Sequence, residues 1–192
     1  MKEGSVLSIL GLFFVAFAAF SLWYLRREYN QLGKLSWFGL LVHVTMFGVN
    51  GVFVTMLIWG PDEIPPMRGL VWLGIPLIVV GLGIVCYAMD LFRQFSRWLG
   101  NDTPGLATGG LYSFSRNPQF VGYGLLILGV VIAWGRSLGW IGLLSYLVLA
   151  YFVARVEEGH LERVYGQSYR DYCSRVPRFI GLGNKLRSIQ ER

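Results

Sequence analysis

Residues 119–153 read QFVGYGLLILGVVIAWGRSLGWIGLLSYLVLAYFV. Two apolar runs, 119–134 and 138–153, are separated only by Gly135, Arg136 and Ser137. Such a pair predicts a tight helical hairpin. A membrane span needs about 20 residues. Each run is a little shorter than that, so the hairpin is expected either to be short for a membrane or to lend its ends to a site.

Three more apolar runs lie upstream, at 5–25, 36–59 and 69–92. The first is too long for the apolar core of a signal peptide, roughly 7–15 residues, and no small-residue cleavage site precedes the Arg26–Arg27–Glu28 that follows. It reads as a retained span. The composition agrees. The 192 residues are 54% hydrophobic and 15% charged, against about 25% charged in a soluble domain, and the mean hydropathy is +0.51. The expected architecture is all-α and polytopic. It has five transmembrane helices, with the fourth and fifth as the hairpin, and a helical C-terminal tail. It forms a single domain over 1–192, with a three-helix membrane part at 1–92 and a functional core at 93–192.

The net charge of +6 is a topology signal rather than a nucleic-acid footprint. Of 17 Lys and Arg, three fall in 26–35, three in 92–118 and eight from 155 onward; Lys2, Arg68 and Arg136 sit singly in the other segments. The alternation predicts the N-terminus outside and the tail in the cytoplasm. The segment before the hairpin and the tail then share one side, where two distant polar elements can build one pocket. Cys86 and Cys173 form neither a disulfide framework nor a metal spacing, so no metal is expected.

The segment before the hairpin is GNDTPGLATGGLYSFSRNP, residues 100–118. Its glycines allow close backbone approach, which suits either a connector or a loop around an anionic ligand. Pro118 is suited to the first position of a helix, with Asn117 as its N-cap. Arg116 is left to meet lipid headgroups or a carboxylate. Continuing the fifth helix into the tail puts Glu157, Leu161 and Val164 on one stripe, and Glu158 and Glu162 on another. Arg155 lies one turn before Glu158 as a candidate ion-pair partner. Tyr165, Tyr169 and Tyr172 recur at packing spacing. His43 and Asn50 share a face of the second span, where hydrogen bonding to a neighbouring helix is expected.

Two blocks carry a family resemblance. Leu106, Gly110, Tyr112, Arg116, Asn117, Pro118, Phe120 and Gly122 fit one. Glu157, Glu158, Leu161, Tyr165, Gly166, Tyr169, Tyr172 and the Val176–Pro177–Arg178–Phe179 run fit the other. Together they resemble the isoprenylcysteine carboxyl methyltransferase family of integral-membrane methyltransferases. The resemblance implies S-adenosyl-L-methionine as cofactor, held by Pro104, Gly105, Leu106, Ala107, Tyr112, Asn117, Pro118, Gln119, Phe120 and Glu157. It implies a lipophilic or lipidated acceptor drawn from the bilayer. On such an acceptor the residues themselves suggest Arg155 or Arg116 to orient an anionic group, Glu158 or Glu162 to hold the arginine, and Glu158 as the base for an amine. The family's activity is carboxyl methylation of an isoprenylcysteine-type substrate. Methylation of a phospholipid or other lipophilic amine or thiol is the alternative, and an NADPH-dependent reductase of the related sterol-reductase type is another. In one position the chain departs from the pattern: members acting on prenylated cysteine carry an arginine where Val153 stands, and Arg155 is about 200° further round the helix.

Overall fold

The computed structural model describes residues 3–59, 70–91, 106, 108–135 and 137–181. Among them are six α-helices and one 3-10 turn: α1 Glu3–Gln31, α2 Trp37–Trp59, α3 Val71–Leu91, the turn Gly110–Ser113, α4 Pro118–Trp134, α5 Ser137–Tyr165 and α6 Gln167–Arg175. No strand occurs among the described residues. Four helices, α1, α2, α3 and α5, are long and apolar enough to cross a membrane, and α4 is a shorter apolar helix. The protein is an all-α, polytopic membrane protein.

The hairpin differs from its sequence expectation in one half. With 17 residues, α4 is about 25 Å long, while α5 with 29 residues reaches about 43 Å. The apolar run at 138–153 is therefore part of a helix that continues through the charged tail. The two helices are joined at Gly135, whose left-handed backbone (φ 63°) ends α4 while its N–H bonds Val131 O at 2.9 Å.

α3 packs chiefly on α4, and this pairing is backbone to backbone. Gly74 faces Gly129 and Gly81 faces Gly122, seven residues apart on each helix. A Cβ on Gly74 would stand 2.5 Å from Gly129 O, and one on Gly81 2.6 Å from Gly122 O. Only glycine permits that approach, the usual means by which helices associate without a hydrophobic driving force. The other helices form a group in which α2 and α5 pack together, with α1 and α4 at their sides. Phe47, Phe120, Tyr123 and Tyr146 make its aromatic centre. The Tyr146 hydroxyl donates to Phe120 O at 2.6 Å. Asn50 Nδ2 reaches Ser145 Oγ at 3.3 Å across α2 and α5, as its intramembrane position predicted.

The α1–α2 turn is closed by a buried carboxylate. Glu28 accepts from Tyr24 Oη (2.8 Å), Ser36 N (2.9 Å) and Ser36 Oγ (2.5 Å), and Ser36 Oγ accepts from Gly39 N (3.0 Å) as the cap of α2. This end of α1 also touches the extension of α5. Tyr29 stacks on His160 with centroids 4.3 Å apart, and Arg163 donates to Asn30. The Arg-bearing end of α1, the segment before α4 and the tail thus converge at one end of the bundle.

Candidate functional site

The site is built where the segment before α4 receives the tail. The 3-10 turn starts at Gly110 (φ 61°) and carries Tyr112. A second glycine, Gly166 (φ 55°), ends α5 and lets α6 fold back. The Tyr169 and Tyr172 face of α6 is buried with Val176, against Leu106, Leu161, Tyr165 and Cys173. The spacing of the tyrosines is therefore that of a packing face.

Four hydrogen bonds then fasten the tail. Tyr172 Oη donates to Tyr112 O at 2.6 Å. Arg116 N donates to Pro177 O at 2.9 Å. Ser115 Oγ and Asn117 Nδ2 both donate to Arg178 O, at 3.3 and 3.1 Å. Asn117 does occupy the N-cap position of α4, with Pro118 as its first residue, but its side chain makes no cap bond. The Arg178 carbonyl has claimed it, and Ser115 Oγ takes the Asn117 N–H at 3.1 Å.

The charged side chains sort around Glu158. Arg178 lays Nε and an Nη on its two oxygens, at 2.9 and 2.6 Å, and Arg116 reaches Oε1 at 3.0 Å. The pairing with Arg155 expected from the helix spacing does not form, because both oxygens are taken by arginines arriving from other segments. Arg116 also donates to Cys173 Sγ, and the Arg178 guanidinium lies 5.2 Å from the Tyr151 ring centre. The bond to Glu158 raises the Arg178 pKa further. A cavity of about 390 Å³ opens here, lined by Arg116, Arg155, Glu158, Glu162, Arg170 and Arg178, together with Gly159, Tyr169 and Cys173. Glu162 pairs with Arg170 at 3.3 Å on its rim.

Glu157, one residue earlier, faces elsewhere. Its Oε1 is 3.9 Å from His43 Nε2 of α2. Tyr112 lies within its field: burial first, then the Glu157 carboxylate and Tyr172, push the Tyr112 phenol well above its ordinary pKa. Burial likewise pushes Tyr172 up to about 12, and burial and then Glu158 raise Tyr169.

Of the residues singled out from the sequence, Arg116, Arg155 and Glu158 line one cavity. Tyr112 and Glu157 are not among its lining residues; the Glu157 carboxylate acts on Tyr112 electrostatically. Asn117 binds the tail, Pro118 is buried at the start of α4, and the Phe120 ring stacks on Phe47 at 5.4 Å. Gln119 keeps its Oε1 buried with no hydrogen-bond partner among the described residues. Leu106 packs on the α6 face. Pro104, Gly105 and Ala107 lie outside the described residues, as do Arg93 and Arg97. Val153 is fully buried in the core. Arg178 belongs to the Val176–Phe179 run, and nothing along the chain connects it to Glu158, so the sequence assigns it no role. No group of three or more His, Cys, Asp or Glu suited to a metal occurs among the described residues.

Comparison with known proteins gives this arrangement a context. The model of the phospholipid methyltransferase family matches residues 70–168. A phosphatidylethanolamine N-methyltransferase of Pyricularia oryzae is 29% identical over 147 residues, which cover 70% of this chain and 15% of that protein. A namesake from Aspergillus terreus is 25% identical over 148 residues, 67% of this chain and 14% of that protein. A protein-S-isoprenylcysteine O-methyltransferase of Schizosaccharomyces pombe is 33% identical over 79 residues, 40% of this chain and 33% of that protein. The chain thus spans a third or less of the length of each of these relatives. No solved structure matches. Because the family match covers just over half of the 192 residues and includes the glycine-paired helices, the segment before α4 and α5 to its end, the chain belongs to the phospholipid methyltransferase family of membrane methyltransferases.

Proposed function

We propose that the protein transfers a methyl group from S-adenosyl-L-methionine to a lipophilic acceptor delivered by the membrane. The observation that carries this reading is the Arg116–Glu158–Arg178 cluster, with Glu157 next to Glu158 and acting electrostatically on Tyr112, at one end of an otherwise apolar bundle. The residues present suit the cofactor. Glu157 offers a carboxylate to its ammonium or ribose hydroxyls. Tyr112 offers an aromatic face to the sulfonium or adenine, and the buried Gln119 Oε1 has an acceptor to spare. When bound, the cofactor supplies an activated methyl, which an acceptor lone pair takes by in-line displacement as the bond to sulfur breaks. The protein's own contribution is alignment and the exclusion of water. The converged end is taken as the cytoplasmic one, where the cofactor is dissolved and the lysines and arginines belong.

The acceptor would enter from the lipid side toward Arg116 and Arg155. For a carboxylate acceptor, as in isoprenylcysteine methylation, these arginines orient the anion, Glu158 holds Arg116 in place, and no base is needed. An amine acceptor, as on a phospholipid headgroup, must first lose a proton. Glu158 is poorly suited to that task, since both its oxygens are engaged by arginine. His43 of α2, whose Nε2 lies 3.9 Å from Glu157 Oε1, is the better proton acceptor. The family match and the phosphatidylethanolamine N-methyltransferase relatives favour the amine. Incubating the detergent-purified protein with methyl-labelled cofactor and a membrane lipid extract decides the matter. Label in a lipid fraction is expected; label in no lipid or protein fraction would overturn the reading.

A further inference from the structure

The end of the bundle away from the site is ringed by tryptophan. Trp134 closes α4, and Trp140 lies in the first turn of α5. Trp72 lies in the first turn of α3, which runs antiparallel to α4 with Gly74 against Gly129. All three are exposed, and exposed tryptophans on membrane helices mark the level of an interface. From that level α4 spans about 25 Å to its start at Pro118. The hydrocarbon core is about 30 Å thick, so α4 starts about 5 Å inside the opposite boundary and the residues preceding Pro118 lie at that boundary.

The tail reaches the same depth. The Arg178 guanidinium lies 5.2 Å from the Tyr151 ring centre while it binds the Glu158 carboxylate. Tyr151 and Glu158 are about 10 Å apart along α5, one in the apolar run that ends at Val153 and one in the charged extension. Arg178 thus sits where the two meet, and the bonds from Ser115, Arg116 and Asn117 to Pro177 and Arg178 hold the two segments together there. Flanking these bonds are Phe114, 76% exposed, and Ile180, 78% exposed. The outward residues of α6, Gln167, Arg170, Asp171, Ser174 and Arg175, are polar, as a water-facing helix requires. Phe114 and Ile180 break that pattern at the end of the apolar run, where α5 exposes Tyr151 and Phe152.

We infer that Phe114 and Ile180 form an interfacial anchor, which lies in the bilayer between headgroups and acyl chains on the side where the tail meets α4. Its partner is the lipid itself. The surface is continuous with the lipid-facing flank of α5, and two apolar side chains there gain by leaving water. The neighbouring Arg178 is placed at headgroup level over an aromatic ring, as basic and aromatic side chains are at membrane surfaces. Of the tail, α6 faces water and the end lies in the membrane surface. The anchor does not depend on the methyl-transfer reading; it sets the depth at which the neighbouring cavity opens.

Spin labels test it in phospholipid nanodiscs. The full chain carries Cys86→Ser and Cys173→Ser, and a nitroxide is attached after one further substitution: Phe114→Cys, Ile180→Cys, Val148→Cys on the lipid-facing flank of α5, or Ser174→Cys on the outward face of α6. Collisions with oxygen, which concentrates in hydrocarbon, and with a water-soluble nickel chelate are measured for each. The ratio of oxygen to nickel collisions at the Phe114 and Ile180 positions is expected to be several-fold above that at Ser174 and to approach that at Val148. A ratio at either position equal to that at Ser174 overturns the inference. So does shielding from both reagents, which would mean that protein covers the side chain. The unaltered chain gives a second reading. Phosphatidylcholine with a diazirine near the head of its acyl chain is photolysed in the same nanodiscs, and lipid adducts are expected on the peptides that hold Phe114 and Ile180. Adducts on the membrane helices with either of these peptides bare would overturn it.

Discussion

Arg178 covers both carboxylate oxygens of Glu158, twenty residues before it in the chain, at 2.9 and 2.6 Å. The same residue gives its carbonyl to Asn117 and Ser115. One residue therefore ties the end of the tail to α5 and to the start of α4. Removing it leaves a largely buried carboxylate with one partner. Breaking a fully buried pair costs roughly 3–5 kcal/mol. Arg178 is partly exposed, so Arg178→Ala should cost somewhat less, about 2–3 kcal/mol, with the tail becoming sensitive to protease. Thermal unfolding and limited proteolysis in detergent measure both effects. An unchanged melting temperature would show that the tail is held by its backbone bonds alone.

The glycine pairs make a second prediction. A side chain at Gly122 would meet Gly81 O and Ile84 at 2.8 Å, whereas one at Gly83 meets nothing within 4 Å. Gly122→Leu should therefore cost several kcal/mol, above the usual 1–3 kcal/mol for overpacking, because backbone cannot give way as side chains do. Gly83→Ala should be neutral or slightly stabilising. Thermal unfolding of the two variants in parallel checks the contrast, and equal melting temperatures would contradict the close α3–α4 approach.

Alkali should release the tail. Burial pushes the Tyr172 phenol up to about 12, above its ordinary 10.0, so the fold favours the neutral phenol that donates to Tyr112 O. For a pKa raised on folding, the stabilisation is complete below pH 10 and is lost as the pH rises through about 12. Tyr112 and Tyr169 shift the same way. Tyr172→Phe should lower stability at pH 8 by about 1 kcal/mol, one hydrogen bond, and make the decline between pH 10 and 12 shallower. Melting temperatures across that range test it; an identical slope in the variant would place the titration elsewhere.

The sequence disclosed the spans because bilayer thickness sets a length that apolar runs must meet. The stripe of Glu157, Leu161 and Val164 presupposes that the fifth helix continues into the tail, and α5 does so, to Tyr165. What the sequence hid were choices made between distant segments. The helix periodicity offered Arg155 to Glu158, but Arg116 and Arg178 arrive with better geometry. Asn117 had the sequence context of a cap, and its side chain went to a carbonyl of the tail. The Gly74–Gly81 and Gly122–Gly129 pairs were inconspicuous among 25 glycines, since seven-residue spacing acquires meaning only when a second helix carries it too. The residues of the candidate site were legible by type, while the division of labour between consecutive Glu157 and Glu158 was not. It depends on which helices lie at each 100° step round α5.

The central claim is that the joined segments hold a water-borne methyl donor beside Tyr112 and Glu157. Calorimetric titration of the purified protein with S-adenosylhomocysteine tests it most directly, with Glu157→Gln beside the parent. The account predicts saturable binding at one site in the parent and affinity lower by about tenfold or more in the variant, the loss of one charged hydrogen bond. No binding to the parent, or equal affinity in the two proteins, would contradict it.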